Sequence, residues 1–202
     1  MNCRSRLLVL SLSFLAACSH RPAAPSLSPR ETIAVLPPNN RTGDPLLVAG
    51  ASFLDRYAFH AERVTVGDVL AGEARFQLAE RGLRVTPRET IAAATENRTP
   101  RSPESAAEIA AHGKLDGLAL YLEIRHWEPD APVHPGFVIV GLSASLVEPA
   151  TGRIVWQVDR RSAPVATPGE VTLENAYETA ARRVITEMLS PLGPRGTERG
   201  AF

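Results

Sequence analysis

The sequence predicts a single-domain α/β (α+β) sandwich in which helices cover a mixed sheet of about five strands. Two observations indicate the sheet. A short apolar run at residues 32–36 is ended by two prolines, and three runs between residues 118 and 158 alternate apolar and polar side chains. A third observation indicates the covering layer, because residues 172–189 carry a wide apolar stripe at helical spacing. The last three strands are therefore expected to form an antiparallel meander covered by helices.

The first half of the domain is predicted to alternate strands and helices. Its elements are, in order, a buried central strand 32–36, a helix 66–81, a strand 83–86, a helix 87–96 and a helix 102–112. Gly82 is placed to end the first helix, while Thr86 and Ser102 are placed as N-caps of the next two. The apolar face of the first helix is predicted to carry Val69, Gly72, Phe76 and Ala79, with Leu70 and Leu78 flanking it.

The meander is predicted to have one apolar face under helices and one polar face. On its first strand, the polar face carries Tyr121, Glu123 and Arg125. On its third strand, the apolar face carries Ile154, Trp156 and Val158.

The N-terminus has the layout of a secretory signal peptide. Two arginines precede an apolar run at residues 7–15, which is too short to span a bilayer as a mature helix. Ala16 and Ala17 followed by Cys18 resemble the lipobox of bacterial lipoproteins, so Cys18 is expected to be the diacylated and N-acylated (palmitate-bearing) first residue. The alternative is an ordinary signal peptide with a chance cysteine. Ser19 is not the aspartate of an inner-membrane retention signal, so we expect an outer-membrane anchor with the domain on the periplasmic face.

Composition narrows the range of functions. The chain has 202 residues with 22 basic and 22 acidic side chains, which leaves no electrostatic footprint for nucleic acid. The other cysteine is Cys3 within the signal, so no disulfide is expected in the mature chain. The predicted divisions are a signal peptide 1–17, the lipidated cysteine and a proline-rich linker 18–30, a periplasmic domain 31–190 and a flexible tail 191–202.

No catalytic signature supports an enzyme. The sequence has no Gly-rich nucleotide loop and no nucleophile elbow, and its one lysine is Lys114. His126, Glu128, Asp130 and His134 are close in sequence, but prolines interrupt any regular spacing, so we predict solvated loop residues and no metal. No cofactor is expected. An envelope hydrolase with unrecognised geometry around residues 126–134 is kept as an alternative function.

Two stretches are candidate binding surfaces. A loop with strong turn chemistry follows the first strand, and its candidate ligand residues are Asn39, Asn40 and Asp44. The alternative interpretation is that this loop is a structural turn that binds no ligand. Residues 46–64 are apolar enough to form either intramolecular core or a partner-binding patch, whose candidate residues are Leu47, Phe53, Leu54, Tyr57 and Phe59.

Four segments taken in order resemble a known family. They are Ile33 to Asn40, Leu78 to Val85, Asp116 to Tyr121 and Leu146 to Trp156. Together they look like the outer-membrane lipoproteins typified by a neisserial genome-derived antigen. They are similar, more distantly, to CsgG-like curli-secretion domains and LpoB-like activators of penicillin-binding proteins. This resemblance implies a non-enzymatic accessory domain and supplies no catalytic residues.

The function expected from the sequence is therefore that of a lipid-anchored accessory or assembly factor of an envelope transport, secretion or cell-wall system. It would act by binding envelope proteins, with homo-oligomerisation open. The alternatives are the hydrolase and a small-ligand-binding lipoprotein that uses the loop after the first strand.

Overall fold

The computed structural model of the chain describes residues 25, 27–28, 31–48 and 64–192. The signal peptide, Cys18, the candidate residues Phe53, Leu54, Tyr57 and Phe59, and the tail from residue 193 lie outside these ranges. The elements are β1 (Thr32–Val35), β2 (Asn39–Asn40), α1 (Val66–Glu80), β3 (Arg84–Val85), α2 (Arg88–Thr95), α3 (Pro103–His112), β4 (Leu118–Pro129), β5 (Phe137–Val147), β6 (Ile154–Ala166) and α4 (Leu173–Leu189). In these ranges, no helix is both long and apolar enough to cross a membrane.

The strands form one mixed sheet in the order β3-β1-β4-β5-β6. β1 runs parallel to both β3 and β4, whereas β4, β5 and β6 form the antiparallel meander. The two-residue β2 pairs with β4 beyond β1, because Pro37 and Pro38 have no N–H to donate and interrupt the pairing between them. The prediction of an α+β domain with a mixed sheet and a terminal meander is confirmed.

One face of the sheet is covered by α1 and α4. The predicted stripe of α4 is confirmed, because Ala176, Tyr177, Ala180, Ala181, Val184, Ile185 and Met188 are all buried. They pack on the apolar side chains of the meander, with Trp127 and Trp156 in the same core. Leu27 and Leu192, near the two ends of the described chain, also join this core.

The opposite face is covered at one end only. There α2 and α3 bury Ala34, Leu36, Ala119 and Tyr121 in a second, smaller core. The prediction that Tyr121 and its neighbours form an exposed polar face was wrong for this end of the sheet. The reason is that the crossover from β3 to β4 passes over this face and brings its two helices with it.

The predicted apolar face of α1 was also wrong. The helix buries Val66, Leu70, Ala71, Ala74 and Leu78. Phe76 is 57% exposed, and Gly72 and Ala79 are exposed with it. Small alanines on the buried side let α1 lie close to the sheet and to α4, so the helix is oriented by close packing and not by its largest apolar side chain.

The helix ends follow local hydrogen bonding. Ser102 caps α3 in a reciprocal capping box, as predicted, and Thr65 and Thr172 cap α1 and α4. Each such cap stabilises its helix by about 1 kcal/mol. Thr86 does not cap α2, because its backbone N–H donates to the Ile33 carbonyl and this bond keeps Thr86 in the sheet. The N-cap of α2 is Pro87, which makes no side-chain cap.

The third meander strand is longer than predicted. It runs to Ala166 and contains two register shifts against β5, one at its start and one between Arg160 and Ala163. Trp156 is buried as predicted. Ile154 is 39% exposed, because the shift beside Val147 turns the first residue of the strand away from the core.

Candidate functional site

A polar network crosses the uncovered part of the second sheet face. The pairing of β2 with β4 sets Asn39 opposite Glu123. The Asn39 amide donates to the Tyr121 hydroxyl at 3.1 Å, and that hydroxyl donates to Glu123 Oε2 at 2.9 Å. Burial raises the pKa of Tyr121 to about 12, so the hydroxyl keeps its proton and remains a donor to the carboxylate.

Arginines complete this network. Arg125 Nε donates to Glu123 Oε1 at 2.8 Å and Arg125 Nη1 to Asp159 at 2.8 Å, while Arg41 lies 3.6 Å from Glu123. Burial on its own raises the pKa of Glu123, but hydrogen bonds from Arg125 and Tyr121 outweigh it and hold that pKa below its ordinary value. Glu123 is thus a buried, ionised carboxylate at the centre of a structural network.

The loop after β2 folds on itself. Asn40 Oδ1 accepts from the Thr42 N–H at 3.0 Å and its hydroxyl at 2.8 Å, and the Asn40 amide donates to the Asp44 carbonyl at 2.6 Å. Gly43 has a φ of +89°, which favours glycine. The side chains of Asn39 and Asn40 are therefore engaged in holding the loop and the sheet, whereas the carboxylate of Asp44 faces the neighbouring depression.

This depression is the place where separately predicted residues meet. It encloses about 610 Å³ and is lined by Thr42, Asp44, Leu46, Leu47, Arg125, His126, Trp127, Glu128, Pro129 and Tyr177. Among the residues that the sequence singles out, one of the ligand loop (Asp44), one of the apolar segment (Leu47) and two of the histidine region (His126 and Glu128) thus share one surface. Asn39 and Asn40 do not line it. The small-ligand hypothesis requires a concave surface of this kind, and it stays a hypothesis.

Two aromatic side chains form the floor of the depression. Trp127 and Tyr177 meet edge to face, with ring centroids 5.8 Å apart and an interplanar angle of 88°. The Trp127 indole Nε1 is buried and has no hydrogen-bond partner among the residues that the structure describes. Burial, followed by the charge of Asp44, raises the pKa of Tyr177. The floor is therefore uncharged and apolar, and the ionisable groups lie on the walls.

The residues on either side of the segment 49–63 are hydrogen bonded to each other. The Val48 N–H donates to the Val64 carbonyl at 2.9 Å, and the Val66 N–H donates to the Leu46 carbonyl at 2.9 Å. Leu47 pairs with Thr65 as an antiparallel bridge between these bonds. We call this paired base, residues 46–48 with 64–66, the root. It borders the depression through Leu46 and Leu47.

Sequence reasoning missed one contact of the histidine region. His126 Nδ1 lies 3.2 Å from Ser162 Oγ, and its Nε2 lies 3.0 Å from Glu128. The intervening β5 residue is Gly141, where a Cβ would meet Ser162 Oγ at 2.7 Å, so the glycine lets the two side chains meet across β5. Thirty-six residues separate the pair in sequence, so no local signal indicated it.

The serine, histidine and glutamate side chains lack the buried carboxylate that accompanies an activated serine nucleophile. The Glu128 side chain is 66% exposed, so water screens its charge and it cannot strongly polarise the imidazole. Asp130 accepts from the backbone N–H groups of Gly136 and Phe137 and closes a loop. Within the described ranges, no group of three or more His, Cys, Asp or Glu residues is arranged to hold a metal ion.

Solved structures similar to this chain are lipoproteins and related proteins. A PelC dodecamer from Paraburkholderia phytofirmans is 19% identical, with a TM-score of 0.54 over 86% of this chain and 95% of that chain. The lipoprotein GNA1162 from Neisseria meningitidis is 16% identical, with a TM-score of 0.44 over 78% and 95%. The LpoB C-terminal domain from Salmonella enterica is 12% identical, with a TM-score of 0.42 over 71% and 88%.

The chain therefore shares the fold of PelC over nearly the whole length of that protein. Of the three kinds of protein that the sequence resembles, the neisserial lipoprotein and LpoB are among the similar structures. No family model matches the sequence, and no curated protein matches it.

Proposed function

We propose that this chain is a lipid-anchored lipoprotein of the bacterial outer membrane, with its domain on the periplasmic face. It acts as a non-enzymatic accessory factor that binds other proteins of the envelope. The observation that carries the proposal is the fold shared with PelC across 86% of the chain. The lipobox-like residues ending at Cys18 support the anchor. Because the PelC structure is a dodecamer, we propose that this chain also assembles with copies of itself.

The proposed contact surface for partners is the segment 46–64, whose two ends belong to the root. Its aromatic and aliphatic side chains, Leu47, Phe53, Leu54, Tyr57 and Phe59, are of the types that dominate protein interfaces. The root supports this proposal because it closes both ends of the segment onto the domain by backbone hydrogen bonds. A change within residues 49–63 can therefore be made without cutting through the sheet.

The experiment is crosslinking in intact cells through a photoreactive amino acid at Phe53. Capture of one envelope protein, or of a second copy of the chain, is the expected result. The matched control places the same amino acid at Glu178, an exposed residue of α4 on the described surface. A second control replaces residues 49–63 with Asn-Gly, which joins the two paired strands of the root as a tight turn. The interface proposal fails if Phe53 captures nothing, or if capture at Phe53 and Glu178 is the same.

The anchor is tested separately. In the wild-type chain we expect a lipid-modified N-terminal cysteine by mass spectrometry and fractionation with outer-membrane vesicles. The Cys18→Ser chain is expected to lose both properties. A wild-type chain with an unmodified cysteine would contradict the anchor and leave the interface proposal untouched.

A further inference from the structure

A second concavity lies away from the site described above, at the carboxyl ends of β1 and β3. It encloses about 320 Å³ between α1 and α2. Pro37 and Pro38, which follow β1, form one wall. The other lining residues are Thr65, Gly67, Asp68, Ala71, Arg75, Arg88, Ile91, Ala92, Thr95, Asn97 and Thr99. We call this concavity the crevice.

The topology makes a crevice at this place. The chain leaves β1 through α1 and returns as β3 on one side, with α1 packed on the face that carries Ile33 and Val35. It then leaves β3 through α2 and α3 and returns as β4 on the other side of β1, across the face that carries Ala34 and Leu36. Successive helices thus leave neighbouring parallel strands toward opposite faces. In open α/β sheets, this is the point at which ligands bind.

The crevice contains two arginines and one carboxylate. Asp68 already has partners, because its Oδ2 accepts from the Thr65 N–H at 3.1 Å and from the Thr65 hydroxyl at 2.7 Å. Its other oxygen lies 3.5 Å from Arg88. Asp68 is therefore matched by Arg88, whereas Glu89 acts on Arg75 through its charge without forming an ion pair with it.

The other arginine is Arg75. Its Nε is buried without a hydrogen-bond partner, and among the described residues its guanidinium makes no ion pair. Burial, and then the charge of Arg88, lowers the pKa of Arg75. A buried Nε–H without a partner is costly, because it has lost its bond to water without replacing it. The arrangement becomes favourable when an anion occupies the crevice.

We propose that the crevice binds a small ligand through an oxyanion group, either a phosphate or a carboxylate. Arg75 is the principal contact, because a guanidinium presents parallel donors that match two oxygens of such a group. Arg88, beside its ion pair with Asp68, provides further donors from α2, and Asn97 and Thr99 provide polar groups in the lining. This inference is independent of the function proposed above, which places partners at the segment 46–64 and not at the crevice.

The test is calorimetric titration of the full lipidated chain, in an uncharged detergent, with inorganic phosphate and separately with citrate. Saturable binding of at least one anion is expected. Arg75→Gln is expected to weaken it about tenfold or more, and Arg88→Gln to weaken it in the same direction. Arg153→Gln is the matched control, because its side chain is 70% exposed against 67% for Arg88 and it lies on a remote turn. This variant is expected to bind like wild type.

The two anions separate the possible ligands. Binding of phosphate alone supports a phosphorylated ligand, binding of citrate alone supports a carboxylate, and binding of both supports recognition of the shared oxyanion. The proposal is overturned if neither anion binds up to about 10 mM. It is also overturned if Arg75→Gln binds as tightly as wild type. Should Arg75→Gln fail to fold, unchanged binding in Arg88→Gln overturns it equally, since Arg88 is an exposed residue.

Discussion

At the scale of single residues, Glu123 is the side chain on which the polar network of the second face depends. It accepts from Tyr121 and Arg125 while 8% of its side chain is exposed. Glu123→Gln leaves these donors poorly matched, so we expect the free energy of unfolding at neutral pH to fall by roughly 1–3 kcal/mol. Urea unfolding monitored by circular dichroism measures the difference.

The difference in the free energy of unfolding between wild type and Glu123→Gln should depend on pH with a definite sign. The pKa of Glu123 in the folded state lies below the ordinary value of 4.5. Its carboxylate therefore stabilises the fold fully above that ordinary value, and the stabilisation is lost as the pH falls through the lower folded value. Wild type and Glu123→Gln should converge in acid. A stability difference between the two chains that widens as the pH falls would contradict the assignment of Glu123 as a stabilising ionised carboxylate. Glu128→Gln, at an exposed carboxylate, should change stability by no more than about 0.5 kcal/mol.

Ser162 gives the second prediction at this scale. Because its contact with His126 lies on an exposed surface with a screened carboxylate, we expect no esterase activity from it. Hydrolysis of p-nitrophenyl acetate should proceed at the same rate for wild type, Ser162→Ala and buffer alone. A wild-type rate that falls in both Ser162→Ala and His126→Ala, with folding intact, would instead establish the hydrolase alternative.

At the scale of elements, two glycines are expected to respond to alanine in opposite directions. Gly117, just before β4, has a φ of +76°, and an added Cβ would lie 2.1 Å from the Thr32 carbonyl oxygen. Gly117→Ala should therefore cost at least about 2 kcal/mol. Gly72 lies within α1 and has nothing within 4 Å of an added Cβ. Gly72→Ala should stabilise the chain by about 0.5–1 kcal/mol. Thermal unfolding of both variants tests the pair, and two changes of the same sign would show that the backbone argument is wrong.

The elements differ in how well the sequence predicts them. The stripe of α4 and the capping residues of α3 are local patterns, and the structure agrees with both. The orientation of α1 is not local, because Phe76 is exposed once alanines on another face pack closely against α4 and the sheet. Thr86 shows the same limit, since its backbone bond to Ile33 takes it into the sheet. Where tertiary pairing competes with a local preference, sequence pattern alone does not decide the outcome.

The candidate sites show this limit more strongly. The sequence indicates Asp44, Leu47 and His126 for three different reasons, and only the pairing of β2 with β4 shows that they share a depression. Arg75 and Arg88 carry no motif. They meet because α1 and α2 leave adjacent parallel strands, a consequence of strand order that no window of sequence contains.

At the scale of the whole molecule, we expect the folded domain, and not the lipid anchor, to be responsible for self-association. Size-exclusion chromatography with light scattering should give a defined multiple of the subunit mass for the lipidated chain in detergent. The Cys18→Ser chain should give the same multiple without detergent. A Cys18→Ser chain that is monomeric at every concentration would mean that the assembly seen for PelC does not extend to this protein.

The root has a consequence for how this protein can change over time. Residues 46–48 already pair with residues 64–66, and each doubling of the length of a flexible loop costs only about 0.6 kcal/mol of closure entropy. We therefore expect length changes between positions 48 and 64 to cost the sheet little free energy. Descendants of one ancestral chain can acquire new recognition sequences there while inheriting the same scaffold, and an affinity tag can be inserted at the same point.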